Sequence, residues 1–190
     1  MVKVAVFASG TGSNFENLVN FESSNKDCNY YVQLLIVDKE GAKVIEKAHR
    51  LNIETYCINP KNFENKTKYE EKILEILKFH KIDFIALAGY MRILTDVILN
   101  NYTNKILNIH PSILPEYPGK NSIHDAFFNK AKYTGVTIHY VDSGIDTGKI
   151  IAQEKLDINP LWSVEDLEEK IHEVEHKLYP LVLNEICNRK

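Results

Sequence analysis

The chain has 190 residues, 44% hydrophobic and 26% charged, with a formal net charge of −3. That length supports one domain with a real core, spanning residues 1–190. The near-neutral charge gives no basic field for nucleic acid or a membrane surface, and no apolar run approaches the roughly 18 residues of a membrane span.

Residues 2–7 read as a buried strand, with no secretion signal ahead of it. A turn follows, Ala8-Ser9-Gly10-Thr11-Gly12-Ser13-Asn14, and then a helix from about Phe15. Strand, Gly-rich turn and helix is a layout in which backbone N–H groups point at a phosphate. The other reading is a tight turn with Ser13 as helix N-cap. Residues 30–37 form a second strand, residues 41–51 a helix with Val44, Ile45 and Ala48 inward, and residues 54–58 a short strand. Residues 66–80 form an amphipathic helix with Tyr69, Ile73, Ile76 and Leu77 at helical spacing. Residues 83–88 are again a buried strand. This alternation predicts an α/β fold: a doubly wound, mostly parallel sheet with helices on both faces.

The next stretch, Gly89-Tyr90-Met91-Arg92-Ile93-Leu94, leaves that strand at its carboxyl end, where open α/β sheets bind ligands. Arg92 is either a surface charge or a partner for an acidic ligand. Met91 and Leu94 read as core. Residues 105–109 form a short apolar strand that suits a central parallel position. It is cut off by Pro111, Pro115 and Pro118, which allow neither helix nor strand to continue. Asn108 and His110, two apart, face one side if strand geometry persists. Together an amide donor and an imidazole can hold the oxyanion of acyl or formyl transfer. The plainer reading has Asn108 capping the loop and His110 bonded to a backbone carbonyl.

His124 begins a helix through Phe128 and receives no role. Residues 135–141 alternate as a strand, with His139 read as a satisfied structural histidine. The loop Asp142-Ser143-Gly144-Ile145-Asp146-Thr147-Gly148 precedes a strand at residues 149–154. Asp146 either makes an Asx-turn or stands beside His110, where a carboxylate favours imidazolium and fixes the ring. The last helix starts near Ser163, with Ser163 and Asp166 as a capping box and Val164, Leu167, Ile171, Val174 and Leu178 as its apolar stripe. Pro180 should kink or restart it. On its own, Glu175 reads as an ordinary surface glutamate. Cys28, Cys57 and Cys187 are odd in number and widely spaced. That argues against a disulfide framework or zinc site and for a reducing, cytoplasmic setting.

The run Asn108-Ile109-His110-Pro111-Ser112-Ile113-Leu114-Pro115 resembles the folate-dependent formyltransferases. So do Gly135-Val136-Thr137-Ile138-His139-Tyr140-Val141 and Asp146-Thr147-Gly148 downstream. The resemblance covers nearly the whole chain and implies the formyltransferase fold, with a Rossmann-like N-terminal half. It implies formyl transfer from 10-formyltetrahydrofolate, as co-substrate, to the amine of glycinamide ribonucleotide. In it Asn108, His110 and Asp146 are catalytic. Gly12, Ser13 and Asn14 hold the phosphate, and Glu175 contacts the ribonucleotide. Met91, Arg92, Ile93 and Leu94, with Asn108 and Asp142, line the folate site. Lys66 stands where the family often has an Arg for the folate's glutamate tail. Lysine keeps the charge and loses the bidentate fork.

Its implied partners are small molecules, with no nucleic acid, membrane or metal, and a monomer or weak homodimer as the assembly. Two alternatives stay open: a formyltetrahydrofolate deformylase, and a non-catalytic nucleotide-binding module of Rossmann type. A binding module has no need for Asn108, His110 and Asp146 to converge.

Overall fold

The computed structural model describes residues 1–189. Seven strands form one sheet: β1 (Val2–Ala8), β2 (Tyr30–Val37), β3 (Glu54–Cys57), β4 (Phe84–Leu87), β5 (Ile106–His110), β6 (Tyr133–Tyr140) and β7 (Ile150–Asp157). Their order is β3-β2-β1-β4-β5-β6-β7. From β3 to β5 all neighbours are parallel, whereas β5–β6 and β6–β7 are antiparallel. The helices are α1 (Ser13–Ser24), α2 (Val44–Arg50), α3 (Lys66–Phe79), α4 (Asp96–Leu99), α5 (Ser122–Phe128) and α6 (Val164–Asn188).

The inner strands β1, β2 and β4 are mostly apolar because both faces are covered. Val4, Val6 and Ala8 join one core with Phe15 and Leu18 of α1, Val44 and Ala48 of α2, and Leu167, Ile171 and Tyr179 of α6. Ala5 and Phe7 join a second core with Tyr69, Ile73 and Leu77 of α3 and Ile98 of α4. Each fully buried Leu or Ile in these layers contributes about 1.5–3 kcal/mol.

Several local expectations need correction. β5 is parallel on one side only, since β6 runs against it in a register that sets Asn108 opposite His139 and His110 opposite Thr137. α1 begins at Ser13 and not near Phe15, because Gly12 takes the N-cap position in the left-handed region at φ 73°. Ser13 is therefore inside the helix, and no side chain caps it. α5 starts at Ser122, ahead of His124. β7 continues to Asp157, paired along β6 as far as Tyr133. α4 had no distinct signal in the sequence.

The Ser163–Asp166 capping box is present. α6 then runs unbroken through Pro180. Proline removes the N–H that would bond the carbonyl of His176, four residues back. The side-chain amide of Asn17 on α1 donates to that carbonyl instead. A neighbouring helix has thus satisfied the group, and no restart is needed. Among the described residues no helix is long and apolar enough to cross a membrane.

Candidate active site

The chain winds from β1 outward to β3 and then returns to place β4 and β5 on the other side of β1. The loops after β1 and β4 therefore diverge, which opens a crevice at their carboxyl ends. A cavity of about 460 Å³ lies there. Gly10 to Asn14 after β1, Gly89 to Leu94 after β4, and Asn108 to Pro111 at the end of β5 all line it. The loop after β6 brings Asp142 and Asp146, and α6 brings His172 and Glu175.

One end is formed by the turn that leads into α1. The left-handed Gly12 caps α1, whose first residues, Ser13 and Asn14, line the cavity. Glycine is required there. A Cβ on Gly12 would lie 2.3 Å from Val44 Cγ2 and would also strain the φ of 73°. Gly12→Ala should cost about 1–3 kcal/mol of folding stability, measured by urea denaturation. A variant as stable as wild type would show that the turn tolerates a side chain.

Beside this turn, Asn14 Nδ2 donates to Glu175 Oε2 at 3.0 Å. Glu175 is only 4% exposed, which corrects its reading as a surface residue. It looked exposed because it flanks the apolar stripe of α6, and the covering element, α1, is remote in sequence. The Oδ1 of Asn14 is buried with no partner among the described residues. An unmatched buried acceptor in a cavity wall suits a ligand donor.

Asn108, His110, His139 and Asp146 also line the cavity. β5 keeps strand geometry to His110, so Asn108 and His110 share a face. His110 Nε2 lies 2.9 Å from the carbonyl of Tyr117. A carbonyl only accepts, so Nε2 carries the proton, and any second proton sits on Nδ1. Nδ1 lies 3.4 Å from Asp146 Oδ2. The plain and the chemical readings of His110 thus hold together: one nitrogen anchors the ring and the other faces the carboxylate.

Asp146 makes no Asx-turn. It sits at φ 54° and accepts the N–H of Gly119 on Oδ2 at 2.9 Å. Asp142 makes the Asx-turn instead, accepting from Gly144 N at 3.0 Å and from Thr147 Oγ1 at 2.7 Å. Burial pushes the Asp146 carboxyl up, but the His139 ring, the Gly119 N–H and the charge on His110 outweigh this and hold it below the usual range.

His139 is buried with both ring nitrogens partnered, as its structural reading has it, and its ring also lies on the cavity wall. Its Nδ1 lies 2.8 Å from the Tyr140 carbonyl and therefore donates. In the neutral ring Nε2 then accepts from Asn108 Nδ2 at 3.2 Å. Asp146 Oδ1 is 3.5 Å from the same amide and 3.6 Å from the same ring. The only sequence signal was the period-2 alternation of β6, and it named a face without naming the partner strand.

The other end is apolar. Met91 and Ile93 are 57% and 53% exposed, and Ile145 is 58% exposed, all on the cavity wall. Met91 is therefore not core, whereas Leu94 packs into the second core as read. Arg92 is held at this wall by Asp38, with Nε to Oδ2 at 2.6 Å. Lys66, the first residue of α3, is exposed and is not among the residues that line the cavity.

The sequence pattern of the formyl transferase family matches residues 2–183. The chain is 46% identical to phosphoribosylglycinamide formyltransferase of Bacillus subtilis, over 98% of this chain and 95% of that one. It is 36% identical to the trifunctional purine biosynthetic protein adenosine-3 of Gallus gallus, and spans 18% of that protein's length. Its fold superposes on glycinamide ribonucleotide transformylase 1 of Geobacillus kaustophilus with a TM-score of 0.95, at 48% identity, covering 98% and 99% of the two chains. Phosphoribosylglycinamide formyltransferase of Streptococcus pneumoniae superposes with a TM-score of 0.92, at 40% identity, covering 98% and 99%. With one family pattern matched along nearly its whole length, the chain belongs to the formyl transferase family.

Proposed function

We propose that this protein transfers the formyl group of 10-formyltetrahydrofolate to the amine of glycinamide ribonucleotide. The products are formylglycinamide ribonucleotide and tetrahydrofolate, a step of purine biosynthesis. The observation that carries this reading is the meeting of Asn108, His110 and Asp146 between two unlike ends of one cavity. The anion-binding end suits a phosphorylated substrate, and the exposed apolar end suits a flat aromatic one.

In this reading Gly12, Ser13 and Asn14 bind the phosphate, and Glu175 accepts from the ribose. Met91, Ile93 and Leu94, with Arg92 and Asp142, hold the folate, while Lys66 meets its glutamate tail from outside the cavity. The neutral amine adds to the formyl carbon, and the carbonyl oxygen becomes an oxyanion. The Asn108 amide and Nδ1–H of His110 stabilise that charge. Asp146 keeps His110 oriented, and with a water it can carry the proton from amine to leaving nitrogen. No residue is assigned to a metal. The chain acts as one domain in the cytoplasm, as a monomer or weak homodimer.

A spectrophotometric assay with a 10-formyl folate tests this. Loss of the formyl group should require glycinamide ribonucleotide. Equal turnover without it would identify a deformylase and remove the role given to Gly12, Ser13 and Asn14. Tight nucleotide binding with no turnover would identify a binding module.

A further inference from the structure

The ribonucleotide end of the cavity contains a residue that the mechanism above does not use. His172 lies on the cavity wall, one turn of α6 before Glu175. Its Nδ1 is 2.8 Å from Glu175 Oε2, the same oxygen that accepts from Asn14. The Glu175 side chain is 5% exposed and that of His172 is 49% exposed. A half-open imidazole therefore covers a buried carboxylate.

A carboxylate buried in protein is costly unless charge and hydrogen bonds compensate it. Asn14 supplies a neutral bond. His172 is within bonding distance and can supply a positive charge. The need is sharper if a phosphate binds at the neighbouring turn, because two anions would then stand close together in a partly dry site.

We propose that His172 is a positioning residue for Glu175. As a cation it fixes that carboxylate and offsets its charge, so the phosphorylated substrate binds more tightly when His172 is protonated. This inference rests on the ribonucleotide reading of that end.

The surrounding charges agree. On α6 itself, Glu175 and Glu168 face His172, and Glu168 is 3.3 Å from His124 Nε2 of α5. His176 stacks on it, with ring centroids 6.1 Å apart and planes at 11°. Beyond His176 lie Glu16 of α1 and Lys47 of α2. Lys120 lies on the cavity wall. The Glu175 hydrogen bond outweighs burial and holds His172 above its usual range, whereas burial pushes His176 down. Only the outer ring of the stacked pair is poised to be charged.

The sign follows from that direction. A raised histidine pKa means that the favourable pairing is fully present below about pH 6.5 and fades as pH rises through the folded value. The test compares wild type with His172→Gln, which keeps a side-chain donor but never carries charge. At about pH 6 the variant should show a ribonucleotide KM about tenfold higher than wild type, and at about pH 9 the two should agree within about twofold. The KM for the formyl donor should not differ at either pH.

A KM ratio that is the same at both pH values overturns the proposal, as does an equal change in the formyl-donor KM. Binding of ribose 5-phosphate, followed by calorimetry, gives the same comparison without turnover. A difference in affinity between wild type and variant that does not depend on pH overturns the proposal there too. A pH-dependent difference in a protein that transfers no formyl group supports the positioning role and overturns the reaction assigned above.

Discussion

His110→Ala should lower kcat by about a thousandfold and leave both KM values within about threefold of wild type. The reason is geometric. His110 lies between the two ends of the cavity, and its ring is 5% exposed at the head of β5. It is anchored through Nε2 by the Tyr117 carbonyl and presents Nδ1 to Asp146. Alanine removes an imidazole beside Asp146 that can be cationic and can give or take a proton. It leaves the phosphate turn and the apolar wall in place. Steady-state kinetics on the purified variant decides the matter. A variant with normal kcat and a raised KM would move His110 from chemistry to binding.

Asp146→Asn should lower kcat by about a hundredfold to a thousandfold, and its cause can be separated from packing by pH. Asparagine can still accept the Gly119 N–H, so the loop keeps its bond, but the charge beside His110 is lost. In wild type the carboxyl is held below its usual range, the His139 ring and the Gly119 N–H overcoming the upward push of burial. A depressed folded pKa stabilises the fold above the unfolded carboxylate value of about 3.9, and that contribution is lost as pH falls through the folded value. The wild-type protein should therefore lose stability in acid that the Asn variant does not lose. Denaturant midpoints measured from neutral to acid pH would show it. Parallel curves for the two proteins would mean that Asp146 carries no such linkage.

The doubly wound half was legible because each of its elements carries a local signal. Residues 30–37 are apolar throughout, and Tyr69, Ile73, Ile76 and Leu77 repeat at helical spacing, so β2 and α3 were placed within a residue of their observed ends. The pairing of Asn108 with His110 was legible for the same reason, since strand alternation is local. What was not legible depends on partners remote in sequence. His139 reaches Asn108 only because β6 runs antiparallel to β5 in one register. Glu175 is buried only because α1 packs on α6 and supplies Asn14. Pro180 looked like a break because its compensation comes from Asn17. Met91 read as core from its side chain alone, yet the chain leaves β4 into the crevice and exposes it. Fold class and two of the three central residues follow from local pattern. The third, Asp146, and the lining of the site follow from topology.

The most direct measurement uses a folate carrying a carbon-13 formyl group, with glycinamide ribonucleotide and the purified protein, followed by carbon-13 NMR. The account predicts that the label appears as an amide formyl on the ribonucleotide, in equal amount to the tetrahydrofolate released. Label recovered as free formate, with the ribonucleotide amine unchanged, would contradict it.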